Sequence, residues 1–171
     1  MRRLILFRHA KTEPYSETGT DETRRLTERG HQDARLMAEL LKERGYDPDC
    51  ILVSTARRTR ETWSEMSAVY PDKSPIFREG LYLADRDEIA SEISDQPDCG
   101  SLVLIGHNEG LHEFALQLAE LGGTRNENAM ASLRVKFPTA AIAIFDAKED
   151  DPFNIYNFEL TDFLIAGMYR D

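Results

Sequence analysis

Only two cysteines, Cys50 and Cys99, occur in the 171 residues, too few for a disulfide framework and without the spacing of a metal-binding set. Cations are in deficit: 21 Lys and Arg stand against 31 Asp and Glu, a formal net charge of −10. Such a balance excludes the positive field that non-specific nucleic-acid or anionic-membrane binding needs. Long apolar runs are missing as well, and no stretch approaches the roughly 20 residues of a membrane-spanning helix. Leu4-Ile5-Leu6-Phe7, behind Met1-Arg2-Arg3, is too short for the apolar region of a secretory leader. No linker rich in proline, glycine and serine divides the chain, and no internal repeat is present. The expectation is a soluble, reduced, cytoplasmic protein folded as one domain over residues 1–171. At 41% hydrophobic, the chain is long and apolar enough for a self-sufficient core.

Short continuous apolar runs alternate with helical patterns, which predicts an α/β fold around a largely parallel sheet. The runs are Leu4–Phe7, Ile51–Val53 and Leu102–Ile105. A helix capped by Thr27 carries Ala34, Met37, Leu40 and Leu41 on its apolar face and stops at Gly45. Further helices are expected from about Ala56 to Val69, burying Trp63 and Met66, from Arg86 to Ile93 and from Leu111 to Leu121. Pro71 and Pro75 mark an irregular segment, and Gly122–Met130 reads as a polar loop. Two late strands, Ala140–Phe145 and Asn154–Leu160, look like a hairpin edge.

The informative residues stand at the end of each apolar run. The first run ends in Arg8-His9, the second in Ser54 with Arg57, Arg58 and Arg60 just beyond, the third in His107. In open α/β sheets, ligands bind outside the carboxyl ends of the parallel strands. Two histidines and at least two arginines delivered to that edge of an acidic chain suit an anion, and arginine's rigid fork matches phosphate oxygens. The alternative is that each residue merely finishes its own strand at the surface. Arg57 can pair with Glu61 four residues on, which leaves Arg58 for the ligand and Arg60 as a lesser competitor. His31 and His112 read as helix-surface residues, and the five-residue step from His107 to His112 is not a metal-ligand spacing.

These residues resemble the histidine phosphatases, the superfamily that includes the cofactor-dependent phosphoglycerate mutases. Leu6-Phe7-Arg8-His9-Ala10 resembles its Arg-His-Gly signature, with Ala10 at the usual glycine. Leu26-Thr27-Glu28-Arg29-Gly30 resembles the start of its first helix, Ser54 to Thr62 its second arginine segment, and Gly106-His107-Asn108 its second histidine motif. Arg-His-Ala-Lys, Ala-Arg-Arg-Thr-Arg-Glu-Thr-Trp and Gly-His-Asn-x-Gly-Leu-His are similar to the compact SixA-type branch, associated with protein phosphohistidine. Glu109 stands where many members of that branch have proline.

The resemblance implies a phosphoglycerate mutase-like three-layer α/β sandwich with a mostly parallel central sheet. It further implies His9 as nucleophile, Arg8, Arg58, His107 and Asn108 around the phosphate, and no metal or other cofactor. His107 is expected to serve best as an imidazolium. Glu79 falls where related mutases place their proton donor, with Asp85, Asp87 and Glu109 more remote candidates and a solvated loop carboxylate as the alternative. An imidazole leaving from phosphohistidine can already carry its proton, whereas an alkoxide must be protonated as it departs. The expected substrate is therefore a phosphorylated protein of a phosphorelay or phosphotransferase system, acted on by a monomer. The alternatives are a small phosphate ester, or a phosphate-binding module with no turnover.

Overall fold

The computed structural model of the chain describes residues 1–96 and 99–170. Side-chain alternation assigns its layers. The first apolar run becomes β1 (Arg3–Arg8), whose Leu4 and Leu6 enter one core and whose Ile5 and Phe7 enter the other. Helix α1 (Glu28–Glu43) begins at Thr27, whose hydroxyl accepts from the Gly30 N–H at 2.9 Å. Its buried stripe is Ala34, Met37, Ala38 and Leu41, and Gly45 takes the left-handed conformation, at φ 79°, just past its end. Strand β2 (Cys50–Ser54) leads into α2 (Arg57–Ser67), which buries Trp63 and Met66. The segment beyond α2, expected to be irregular, contains β3 (Ile76–Arg78), paired in parallel with β2. This is an edge strand with Ile76 and Phe77 both exposed, so no buried alternation marks it in the sequence.

Helix α3 (Arg86–Ser94) starts with a capping box between Asp85 and Glu88. After it come β4 (Ser101–Gly106) and α4 (Gly110–Gly122). The expected polar loop over Gly122–Met130 is corrected: it gives way at Asn126 to α5 (Glu127–Val135). The Asn126 side chain accepts from the Ala129 N–H at 3.0 Å, and Ala129, Met130 and Leu133 bury one face. The two late strands pair as expected but start later than their apolar runs, as β5 (Ile142–Ala147) and β6 (Phe158–Leu164). Ala140 is left-handed at φ 59°, and Asn154–Asn157 is a turn closed by the Asn157 N–H on the Asn154 carbonyl at 3.0 Å.

The sheet runs β3-β2-β4-β1-β5-β6, its first four strands parallel and the last two joined antiparallel. It is a mostly parallel α/β fold. Helices α1 and α2 cover the face carrying Ile5, Val53 and Ile105, while α3, α4 and α5 cover the face carrying Leu4, Leu52 and Leu104. Each leucine or phenylalanine fully buried this way contributes roughly 1.5–3 kcal/mol. Two glycines hold connecting segments tightly around the carboxyl edge. A Cβ on Gly30 would lie 2.1 Å from the Lys11 carbonyl oxygen, and one on Gly110 would lie 1.9 Å from that of Ala84. Among the described residues no helix is long and apolar enough to cross a membrane.

Candidate active site

Register places the histidines. Arg8 on β1 lies opposite Gly106 on β4, so His9 and His107 leave the sheet as neighbours. The His9 N–H donates to the Gly106 carbonyl at 3.1 Å, and the two ring centroids are 5.3 Å apart. On the other flank of β4, Ser54 ends β2 with its Oγ 2.7 Å from Nε2 of His107. Arg58 comes from the first turn of α2 and is only 2% exposed. Its Nη1 and Nη2 donate to the carbonyl and to Oδ2 of Asp21, at 2.8 and 2.9 Å. Arg8 Nη1 and Asn108 Nδ2 both donate to the Phe137 carbonyl, at 2.8 and 3.0 Å. Thr62 ties α2 to the loop after β1: its Oγ1 accepts from the Ala10 N–H at 3.1 Å and donates to the Arg58 carbonyl at 2.7 Å.

The His9 Nδ1 sits 2.8 Å from the Ala10 carbonyl, which can only accept. Nδ1 therefore carries the proton and Nε2 the lone pair. Burial pushes the His9 imidazole down to about 3, and the Arg58, Arg8 and Arg24 guanidiniums push the same way against that hydrogen bond. His107 is pushed down to about 2, first by burial, then by His9 and Arg58, with Asp21 opposing. Desolvation beside two arginines thus favours the neutral ring in the anion-free site, whereas the imidazolium expected from the sequence concerns the ring around a phosphate. Asp21 is held ionised. Burial favours its acid form, but the Tyr82 hydroxyl, Arg58 and Arg24 outweigh it and bring it to about 2.

Arg8 Nε, Arg58 Nε and His107 Nδ1 are buried without a partner among the described residues. Buried polar atoms are nearly always paired. Three such nitrogens on residues gathered about the His9 imidazole suit a tetrahedral oxyanion, although Asn108 Oδ1, an acceptor, is buried there without a partner as well.

Arg8, His9, Arg58, His107 and Asn108 thus meet at one place. The other candidates make different contacts. Arg57 donates to Glu61 at 2.8 Å, and Arg60 donates to the Thr55 carbonyl while lying 4.3 Å over the Phe77 ring. Glu79 opens a short 3-10 turn, Glu79–Leu81; it is exposed, and its carboxylate has no hydrogen bond or ion pair among the described residues. Asp85 is engaged in capping α3, and Asp87 and Glu109 are exposed. His31 pairs with Glu65, and His112 donates to the Leu133 carbonyl. Sequence reasoning missed Asp21 and Tyr82, whose ring meets His107 edge-on at 5.7 Å. Neither ends a strand or repeats at a helical spacing, so no local signal marks them.

A family model described as the histidine phosphatase superfamily (branch 1) matches residues 4–97. An uncharacterised protein of Mycobacterium leprae is 31% identical over 143 residues, 81% of this chain and 86% of that protein. An uncharacterised chloroplastic protein of Arabidopsis thaliana is 35% identical over 69% of this chain, which spans 59% of that protein's length. Among solved structures, the candidate phosphohistidine phosphatase SixA of Agrobacterium tumefaciens superposes with a TM-score of 0.79. It is 30% identical, and the match covers 96% of this chain and 97% of that one.

Proposed function

This chain belongs to the histidine phosphatase superfamily and is a phosphoryl hydrolase, and we propose that its substrate is phosphohistidine on a protein. The observation that carries the proposal is the His9–His107 pair, 5.3 Å apart, together with two buried arginine nitrogens that have no partner among the described residues. The likeness to the Agrobacterium structure supports the same reading.

In this mechanism the Nε2 lone pair of His9 attacks phosphorus as the bond to the leaving imidazole nitrogen breaks. Charge spreads over the three equatorial oxygens, so catalysis is positioning and electrostatics. Arg8, Arg58 and His107 surround those oxygens, and Asn108 supports the same face. His107 contributes a neutral Nδ1–H when the Ser54 hydroxyl donates to its Nε2. Water then attacks the phosphorus held on His9, inorganic phosphate leaves, and Nε2 recovers its lone pair.

The carboxylates argue for the leaving group. Asp21, in contact with Arg58, is ionised and has no proton to give. Glu79 is exposed and unpaired among the described residues, in this reading a solvated loop carboxylate. A leaving imidazole needs neither. The partner in this reading is a phosphorelay or phosphotransferase-system protein met in the cytoplasm.

Acid-quench trapping tests the reaction. An acid-labile phosphate appears on the wild type and is lost in His9→Ala, with turnover falling by about 10⁴-fold or more. Glu79→Gln, assayed beside the wild type on phosphohistidine protein and on an alkyl phosphate, keeps the first activity within about threefold. Equal loss of both activities would favour a phosphomonoesterase that takes small esters and uses Glu79 as its acid.

A further inference from the structure

Asp21 lies on a 3-10 turn with no buried residue, yet its carbonyl and carboxylate together reach Arg58, Tyr82 and Arg24. Its carbonyl accepts from Arg58 Nη1 at 2.8 Å. Its Oδ2 accepts from Arg58 Nη2 at 2.9 Å and from the Tyr82 hydroxyl at 2.8 Å. Its Oδ1 accepts from Arg24 Nε at 2.9 Å, and Arg24 in turn reaches Thr12 Oγ1 and the Glu13 carbonyl in the loop after β1.

The guanidinium is a rigid plane, so fixing two of its nitrogens fixes the direction of every remaining N–H. In Arg58 the third nitrogen, Nε, is the buried one without a partner among the described residues. The same carboxylate holds Tyr82, whose ring lies 5.8 Å under the Arg58 guanidinium and meets His107 edge-on. An exposed ion pair on a surface turn would ordinarily contribute little to folding. Here one partner is 2% exposed and the other 44%, so the pair orients a buried cation from outside.

We propose that Asp21 is the positioning residue of the phosphate site: by holding two nitrogens of Arg58 and the Tyr82 hydroxyl, it aims the guanidinium at the phosphoryl oxygens. The proposal rests on His9 being the phosphoryl acceptor. It differs from a charge effect, because a negative carboxylate by itself would oppose an incoming phosphate. What Asp21 supplies is acceptor geometry.

The test uses the full chain with phosphoramidate as donor, and inorganic vanadate and inorganic phosphate as inhibitors. Asp21→Ala lowers kcat by about 10–100-fold, less than outright loss of a charged donor, with KM within about threefold. Vanadate inhibition weakens in step with kcat, phosphate inhibition changes little, and the melting temperature stays near that of the wild type. Asp21→Asn, which keeps an acceptor oxygen, recovers kcat to within about fivefold of wild type. In an Arg58→Ala background, Asp21→Ala has no further effect.

Several results overturn the proposal: unchanged kcat in Asp21→Ala, an Asn variant as slow as the Ala variant, or an undiminished Asp21→Ala effect without Arg58. Should Asp21→Ala fail to fold, the Asn variant and Tyr82→Phe carry the test. Tyr82→Phe is expected to cost about 2–5-fold in kcat through loss of one anchor, and no cost there overturns the proposal. A wild type that traps no phosphate on His9 sinks the histidine mechanism instead; trapping at equal rates in wild type and Asp21→Ala sinks only this inference.

Discussion

Strand β1 begins and ends on an arginine, and the two are held in opposite ways. At the amino edge of the sheet, Arg3 donates to Asp146 at 2.6 Å, lies 4.7 Å over the Tyr46 ring and has its pKa raised, chiefly by that hydrogen bond. At the carboxyl edge, Arg8 meets a backbone carbonyl and, among the described residues, no carboxylate, and burial followed by the Arg58 charge lowers its pKa. The same contrast extends sideways. Arg125 is paired with Glu159 at the surface, whereas Arg58 is among the largest fully buried side chains. One edge pairs its cations at the surface; the other holds them away from water, Arg58 against the more exposed Asp21 and Arg8 against a carbonyl, where they cost stability and suit an anion.

Replacing Arg58 with methionine should break this contrast most forcefully. Turnover is expected to drop about 10²–10³-fold, while the free energy of unfolding in urea changes little, since the apolar side chain removes a buried charge and the Asp21 carboxylate left behind is exposed enough to be hydrated. Marked destabilisation would show that the carboxyl edge is built for the fold after all.

Acid sharpens the comparison next. His9 and His107 are neutral when folded and ordinary when unfolded, so the unfolded chain binds more protons between pH about 6.5 and their depressed values. Stability from these two groups is complete above pH 6.5 and falls as pH drops, by up to about 1.4 kcal/mol per pH unit for each. Urea unfolding at pH 7 and pH 5 should show that decline, and His107→Gln should show about half of it. An identical decline in both proteins would mean that His107 does not carry a depressed pKa. The smallest effect belongs to the amino edge: Arg3→Ala should cost under about 1 kcal/mol and leave kcat unchanged.

Much of this was legible from the chain alone, and the reasons are local. β1, β2 and β4 are short apolar runs buried on both faces, and α1 announces itself through Thr27, its apolar stripe and Gly45. Arg8, His9, Arg58 and His107 were visible because each comes after a strand whose end is easy to see. β3 was hidden because an edge strand three residues long leaves both of its apolar side chains in water. α5 was hidden because its buried residues, Ala129, Met130 and Leu133, span barely one turn behind a polar start. Asp21 and Tyr82 are 61 positions apart and meet only through the tertiary fold. The protonation of His107 depends on desolvation by residues from several strands and loops, which no spacing encodes.

The pairing of Arg8 with Gly106 has a consequence for how this molecule can vary. The 5.3 Å gauge between the two imidazoles is close to the roughly 4.8 Å pitch between adjacent strands, because both rings hang from the same rung of the ladder. Surrounding loops can lengthen, shorten or change their chemistry while that gauge stays constant. A one-residue slip between the two central strands would destroy it even if every side chain of the pocket were kept.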